Sequence, residues 1–282
     1  MDRTEALLAA YDALAGSLSP SILFLVTDRR SVVEIALKHT RVPVFLATSN
    51  EPLRREFAPR LTGTLRFARE FRPGFNALTD LNDILMEAYL EGRLGSGKDV
   101  LVLASLGEAM DTVVLFDATR DPHLSTIRKE LEERVDLPLL ERMLRLAGEL
   151  SREGREGAKV GAVFVIGDSD AVMARSKPLV LNPFEGHAEA RRNLLDDAVW
   201  ETAKEFSQLD GAFIVRENGV VVAAGRYIDT DKDIELPSGL GGRHLAAASI
   251  TKITKAVAIT VSTSGTIRVF KDGRIVITMA RF

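Results

Sequence analysis

Residues 237–252 combine the residue types that a phosphate-binding site needs. The segment reads PSGLGGRHLAAASITK, in which three glycines precede Arg243 and His244 and an alanine-rich run follows. The alanines predict a helix that begins near His244, with its free amides and positive dipole end facing the glycine loop. Arg243 would add planar donors that suit phosphate oxygens, and a ring nitrogen of His244 could ligate a metal. A capped helix with an exposed arginine and a core histidine explains the segment equally well.

A carboxylate candidate lies in LDGAFIV, where Asp210 and Gly211 stand between a predicted helix and a predicted buried strand. In the functional interpretation, Asp210 opens the strand as a reactive carboxylate and Gly211 allows a ligand to approach the backbone closely. In the structural interpretation, which this stretch favours on its own, Asp-Gly is an ordinary turn pair.

Two further loops carry polar groups. Ser262, Thr263 and Ser264 precede Gly265 after an apolar run, and hydroxyls and amides in a tight turn bind phosphate well but also form ordinary hairpins. The loop VLNPFEGH, residues 180–187, is interpreted as a turn between a strand and a helix.

The predicted helices and strands that must position these residues fall into two domains, 1–122 and 123–282. The first alternates short apolar strands with helices, which predicts an α/β layered domain with a largely parallel sheet. Its predicted strands are 21–28, 42–49, 98–106 and 112–119, and its predicted helices are 3–16, 30–40 and 78–94, the last with Thr79 as N-cap.

The second domain begins with a long charged helix, 123–157, and continues as a mixed α/β sheet. Leu139, Leu140, Met143, Leu144 and Ala147 share one face of that helix. Asn218-Gly219 and Asp272-Gly273 each predict a hairpin. Two more helices are predicted at 189–209 and 243–255.

The segment GRLGSGKD, residues 92–99, fits the spacing of a nucleotide-binding P-loop but not its context. A P-loop follows a strand and opens a helix, whereas this segment follows a predicted helix and opens a predicted strand. Asp99 also occupies the position that needs a serine or threonine hydroxyl for Mg²⁺. A glycine-rich turn with a helix C-cap is the favoured interpretation.

The composition of the chain argues against several classes of protein. The chain has 282 residues, 46% hydrophobic and 27% charged, with a net charge of −3, so no basic field points to nucleic acid. It has no cysteine, and no apolar run approaches the length of a membrane span. We therefore expect a soluble, cytoplasmic, two-domain protein that acts away from the membrane.

Five segments together resemble the diadenylate cyclase (DisA_N or DAC) domain family over roughly residues 150–282. They are GAVFVIGD at 161–168, NPF at 182–184, DGA at 210–212, GGRHLAA at 241–247 and VSTSGTI at 261–267. The arrangement is similar to the archaeal, DacZ-like type, whose leading domain resembles the C-terminal domain of pyruvate kinase. Departures from the family pattern are Gly242 for threonine, Leu245 for the second arginine of Arg-His-Arg, and Thr263-Ser264 for Glu-Glu-Thr.

The resemblance implies a nucleotidyltransferase that condenses two ATP molecules into cyclic di-AMP and two pyrophosphates with Mg²⁺ or Mn²⁺. It implies that Asp210 lies beside the attacking 3′-hydroxyl or on the metal, that His244 ligates the metal, and that Arg243 grips the triphosphate. The remaining nucleotide-binding positions that it implies are Gly211 and Ala212 at the ribose, and Gly241, Gly242, Leu245, Ser262, Thr263 and Ser264. It also implies a homo-oligomer with facing active sites. A non-catalytic sensor of ATP or cyclic di-AMP is the alternative, and an α/β scaffold protein a third possibility.

Overall fold

A computed structural model describes residues 3–18, 22–67, 77–94, 100–106, 110–117, 129–230 and 233–279. The chain divides into two compact units, Met1–Ser125 and Thr126–Arg281. The boundary predicted at residue 122 lies outside the described residues. None of the helices in the described ranges is long and apolar enough to cross a bilayer.

The first unit is a five-stranded sheet with helices. Its helices are α1 Arg3–Leu18, α2 Arg30–His39, α3 Glu51–Phe57 and α4 Ala77–Leu90, and its strands are β1 Leu23–Thr27, β2 Val44–Thr48, β3 Gly63–Arg66, β4 Val100–Leu106 and β5 Met110–Phe116. The strand order is β3-β2-β1-β4-β5, and all pairs are parallel except β4 with β5. The prediction of an α/β domain with a largely parallel sheet is therefore confirmed.

Buried apolar strands account for this sheet. Every residue of β1 and of β2 is buried, as expected for central strands covered on both faces. Asn50 caps α3 by accepting a hydrogen bond from the Leu53 amide at 3.0 Å. The prediction for Thr79 was wrong, because α4 already begins at Ala77 and Thr79 lies inside it. Of the rejected P-loop, residues 92–94 form a turn after α4 and residues 95–99 are outside the described ranges.

The second unit is a seven-stranded mixed sheet. Its helices are α5 Leu137–Glu153, α6 Ser169–Ala174, α7 Trp200–Phe206 and α8 Gly242–Ile253, and its strands are β6 Ala162–Ile166, β7 Ser176–Pro178, β8 Ala212–Val215, β9 Val221–Ile228, β10 Val257–Val261, β11 Ile267–Lys271 and β12 Arg274–Met279. The strand order is β12-β11-β10-β6-β8-β9-β7. Only β6 and β8 pair in parallel among these strands.

The helices of the second unit pack on the sheet through apolar side chains, and two of them are also joined by ion pairs. In α8, Ala247, Ala248 and Ile250 share a core cluster with residues of β6, β8, β10 and β11. The predicted apolar face of α5 is buried throughout. A buried lysine, Lys204 of α7, has its ammonium group 2.9, 3.1 and 2.9 Å from the carboxylates of Glu149, Glu153 and Glu201. This group of charges joins α7 to α5.

The two predicted hairpins are confirmed, with different turns. Asp272 and Gly273 both have positive φ, 50° and 79°, as the tightest hairpin turn requires. In the other hairpin, only Gly219 has positive φ, 85°, and its amide donates back to the Arg216 carbonyl at 2.9 Å.

Two predicted helices are shorter than the pattern indicated. In 123–157, helix at 129–132 gives way to a turn, and α5 restarts at Leu137 with Pro138 in its first turn, where the missing amide costs no bond. In 189–209, only α7 is α-helical. Asn193 and Asp196 accept hydrogen bonds from the amides of Leu195 and Ala198, and such local turns compete with a helix.

Candidate active site

The register of the sheet brings the three candidate segments to one end of it. Ala212 of β8 pairs with Val163 of β6, so the residues that precede these two parallel strands lie side by side. Ala162 in turn pairs with Val261, the last residue of the antiparallel β10. The residues before β6, those before β8 and the turn after β10 are therefore neighbours.

Asp210 and Arg243 meet at this end of the sheet. The Asp210 carboxylate is 91% exposed, and its Oδ1 lies 3.6 Å from Nη2 of Arg243. The Arg243 guanidinium also lies over Gly161, just before β6, where an added Cβ would be 2.6 Å from Nη1. Gly161 therefore leaves the space that the guanidinium occupies, and Arg243 links α8 to the starts of β6 and β8.

The N-terminus of α8 opens towards an unobstructed glycine loop. Gly241 is its N-cap and provides no side-chain hydrogen bond to the first amides. A Cβ added at Gly239, Gly241 or Gly242 would meet no atom within 4 Å. The His244 amide donates to the Gly241 carbonyl at 3.0 Å, whereas the two amides before it, those of Gly242 and Arg243, precede the first helical bond, so this end of α8 offers donors and a positive dipole.

His244 lies under α8 instead of facing solvent. It is 7% exposed, its Nε2 lies 3.2 Å from Nη1 of Arg268 on β11, and its ring centroid is 6.2 Å from that of Phe270. Arginine can only donate, so Nε2 is the acceptor. Burial, followed by the positive charges of Arg268 and Arg243, lowers the pKa of His244 below its ordinary value of 6.5.

These surroundings fit a divalent cation at Asp210, whereas one ring nitrogen of His244 faces a guanidinium. Asp210 is an exposed carboxylate, the ligand type that Mg²⁺ and Mn²⁺ favour. In His244, Nε2 is engaged by the Arg268 guanidinium, so a cation at that nitrogen would face a positive neighbour. Across the described ranges, no three histidine or acidic residues form a metal-binding group. The role of His244 as a metal ligand, which the sequence resemblance implied, stays a prediction, and the contact with Arg268 is the observation that speaks against it.

Gly211 and Ala212 are packed closely against neighbouring elements. The φ of Gly211 is 104°, and a Cβ there would lie 2.6 Å from the Arg226 amide nitrogen and 2.7 Å from the Gly225 carbonyl carbon on β9. The glycine is therefore required by the packing of β9 against it. Ala212 is 2% exposed and belongs to the core under α8. The ribose contact that the sequence resemblance implied for these two residues stays a prediction.

The turn after β10 uses its hydroxyls partly within itself. Oγ of Ser262 lies 2.7 Å from Oγ of Ser264 and accepts from the Thr266 amide at 3.1 Å. Thr263 and Ser264 are exposed. The buried hydroxyl of Ser151 on α5 donates to the Gly265 carbonyl at 2.7 Å and so anchors the turn. The turn is therefore held by its own hydrogen bonds and by Ser151, and its outer hydroxyls face solvent at the end of the sheet that holds Asp210.

The remaining candidates lie on α8 and beside β9. Leu245 is half-buried in the first turn of α8. The loop 180–187 contains the predicted turn, and Asn182 holds it to β9 by donating to the Val222 carbonyl at 2.9 Å.

Sequence reasoning missed Gly161 and Arg268 as site residues. Gly161 was visible as the first residue of the GAVFVIGD segment, although nothing there showed that an arginine lies over it. Arg268 had no sequence signal, because its contact with His244 depends on the register of β11 under α8.

Comparison with known proteins identifies the family. The model of the DisA bacterial checkpoint controller nucleotide-binding (DAC) family matches residues 149–275. A diadenylate cyclase of Methanocaldococcus jannaschii is 46% identical over 179 residues, covering 63% of this chain and about half, 54%, of that relative's length. A diadenylate cyclase of Haloferax volcanii is 35% identical over 205 residues, covering 67% of this chain and 75% of the relative.

Among solved structures, a double mutant of DacA from Staphylococcus aureus matches with a TM-score of 0.34 and 20% identity, covering 52% of this chain and 87% of that one. The sequence relatives carry the assignment, since the second of them is matched over three quarters of its length. The resemblance predicted from the five segments is confirmed: the chain belongs to the diadenylate cyclase family.

Proposed function

We propose that this protein condenses two ATP molecules into cyclic di-AMP and two pyrophosphates, at a site formed where two protomers face each other. The observation that carries the proposal is the contact between Asp210 and Arg243 at the uncapped N-terminus of α8. It places one carboxylate, one guanidinium and free helix amides together, in a chain whose relatives are diadenylate cyclases.

The charges at this end of the sheet support the binding of a polyanion. Arg243 and Arg268 both lie close enough to His244 to lower its pKa. The α8 dipole adds positive potential in the same place. Asp210 is the carboxylate paired with Arg243, and its exposure keeps it available to a ligand. Fixed positive groups of this kind stabilise the charge that develops as a phosphoryl bond breaks.

In the proposed reaction, the 3′-hydroxyl oxygen of one ATP bonds to the α-phosphorus of the other, and the bond from that phosphorus to pyrophosphate breaks. Asp210 lies beside the attacking hydroxyl and accepts its proton. Arg243 and the Gly241-Gly242 amides hold the triphosphate, with Ser262 and the exposed Thr263 and Ser264 at its edge. Repeating the step with the roles exchanged closes the ring. The site accelerates the reaction by positioning the two ATP molecules and by neutralising the charge on their phosphates, since no covalent enzyme intermediate is needed.

A divalent cation, Mg²⁺ or Mn²⁺, is part of the proposal. Asp210 is the protein group that would hold it, together with phosphate oxygens of ATP, and the cation would neutralise charge on those phosphates. A cytoplasmic location, with its supply of ATP, also belongs to the proposal.

Product formation by the full-length protein tests the activity directly. The pure protein is incubated with ATP and Mn²⁺ or Mg²⁺, and cyclic di-AMP and pyrophosphate are quantified. We expect Asp210→Asn to abolish product without changing the unfolding temperature. Asp170→Asn, an exposed aspartate in α6, is the matched control and should remain active. An Asp210→Asn variant with wild-type turnover would exclude the proposed proton acceptor.

The facing arrangement predicts that turnover per protomer falls on dilution. We expect initial rates to rise more steeply than linearly with protein concentration below the dissociation constant of the oligomer. Rates strictly proportional to protein concentration, in a sample that sedimentation shows to be monomeric, would contradict the shared site.

A sensor that binds ATP or cyclic di-AMP without turnover is the second candidate. The feature that favours it is Leu245, where the family motif has its second arginine. Binding of either nucleotide by calorimetry, with no dinucleotide formed under any metal condition, would select the sensor over the enzyme.

A further inference from the structure

Arg268 is a partly buried cation, and none of the described residues around it supplies a carboxylate to balance its charge. It lies on β11 opposite Thr260 of β10, between the buried Ile267 and Val269, which point to the other face of the sheet. Its Nη1 donates to Nε2 of His244 at 3.2 Å. In the part of the chain that the structure describes, it forms no ion pair with a carboxylate.

An arginine beside a histidine is an unfavourable pair unless the histidine is neutral. A guanidinium carries five donors and no acceptor, so it gains a hydrogen bond only from a neutral ring nitrogen. The lowered pKa of His244 fits that neutral form. A half-buried guanidinium with a neutral neighbour still lacks an anion, and bringing such a charge out of water is costly without one.

Two buried polar atoms near Arg268 have no protein partner among the described residues. They are His244 Nδ1 and Thr260 Oγ1, and Thr260 is fully buried. Buried polar atoms in native proteins are nearly always satisfied, by protein, water or a bound group. Gly241, the N-cap of α8, provides no side-chain hydrogen bond, so the same end of the helix that carries His244 also has free backbone donors.

We propose that Arg268 is a triphosphate-binding residue of the ATP site and that His244 is its positioning residue, which holds the guanidinium instead of ligating a metal. This inference rests on the proposed function, since it takes ATP as the ligand. It also accounts for the loss of the motif arginine at Leu245: Arg268 is a second guanidinium near the start of α8, in contact with His244, and it is supplied from a strand instead of from the helix.

Binding without any divalent cation separates the two roles of His244. ATP and adenosine binding to the full-length protein are measured by calorimetry in EDTA. A lost hydrogen bond to a charged group corresponds to an affinity loss of about tenfold or more. We therefore expect Arg268→Gln to weaken ATP binding by about tenfold and to leave adenosine binding unchanged. Arg216→Gln, at the other end of β8, removes an equal charge and should bind both as wild type does.

Substitutions of His244 test the positioning role. His244→Gln retains an acceptor and should bind ATP in EDTA within about threefold of wild type, whereas His244→Leu should lose about as much as Arg268→Gln. The double variant His244→Leu/Arg268→Gln should lose no more than Arg268→Gln alone, because both changes remove one interaction. Thermal unfolding of each variant establishes that it is folded.

Each outcome decides the inference. If wild type binds no ATP in EDTA, the inference fails, whereas the proposed function fails only if the protein also forms no cyclic di-AMP with Mn²⁺ or Mg²⁺. If wild type binds ATP but Arg268→Gln binds it equally well, or loses ATP and adenosine affinity alike, the inference fails and the proposed function stands. If His244→Leu binds ATP normally in EDTA and only raises the Mn²⁺ concentration needed for turnover, His244 is a metal ligand and its positioning role is overturned.

Discussion

Replacing Gly211 by alanine should destabilise the second unit, because the space for a side chain is filled by backbone. The added Cβ would lie 2.6 Å from the Arg226 nitrogen and 2.8 Å from its carbonyl oxygen, at a φ of 104°. Backbone atoms of a paired strand cannot rotate away as a side chain can. The conformational strain costs about 1–3 kcal/mol and the overpacking a further 1–3 kcal/mol or so. A loss of about 4 kcal/mol lowers the melting temperature by roughly 8–16 °C.

Thermal and urea unfolding of the full-length variant measure this loss. Gly242→Ala is the matched control, because its Cβ enters open space, and its stability should stay within about 0.5 kcal/mol of wild type. Activity should fall in Gly211→Ala in proportion to the unfolded fraction. If Gly211→Ala melts like wild type yet cannot bind ATP, the glycine is there for the nucleotide and the packing explanation is wrong.

Two more predictions concern buried charges in the second unit. Lys204→Met leaves three glutamates facing one another, and we expect a loss of about 2 kcal/mol in urea unfolding, less than for a fully buried pair because two of the carboxylates are more than half exposed. A smaller change in Lys204→Met than in an exposed Lys252→Met control would contradict this. His244 titrates at lower pH when folded than when unfolded, so the unfolded chain takes up the proton first as pH falls through about 6.5. The free energy of unfolding should therefore decrease between pH 7.5 and 5.5, less steeply in His244→Gln, and equal slopes in the two proteins would refute the assignment.

Much of the fold was predictable from turn residues and from short apolar runs in the sequence. Asp272-Gly273 formed a hairpin because both residues accept positive φ. The buried strands were visible as short apolar runs between turn residues. The extent of helices was less predictable, because Asn193 and Asp196 bond to nearby amides and so interrupt a run that has helical composition.

The candidate site was predictable as a set of segments but not as a set of contacts. Asp210 and Arg243 were both chosen from the sequence, and the register of β6 with β8 brings them together. The partner of His244 could not be foreseen, because an arginine on β11 comes within reach only when α8 packs across the sheet. The role of Gly211 was likewise hidden, since only the pairing of β8 with β9 shows which backbone occupies its missing side chain.

The pairing of β6 has a consequence for synthesis on the ribosome. Ala162 of this inner strand pairs with Val261, and Val163 pairs with Ala212, so its two partners are translated about 50 and about 100 residues after it. Until β10 leaves the exit tunnel, the nascent chain presents an apolar strand with an unpaired edge, the kind of edge that aggregates or recruits chaperones. The first unit pairs β1 with β2 much earlier and is free to fold while the second unit waits.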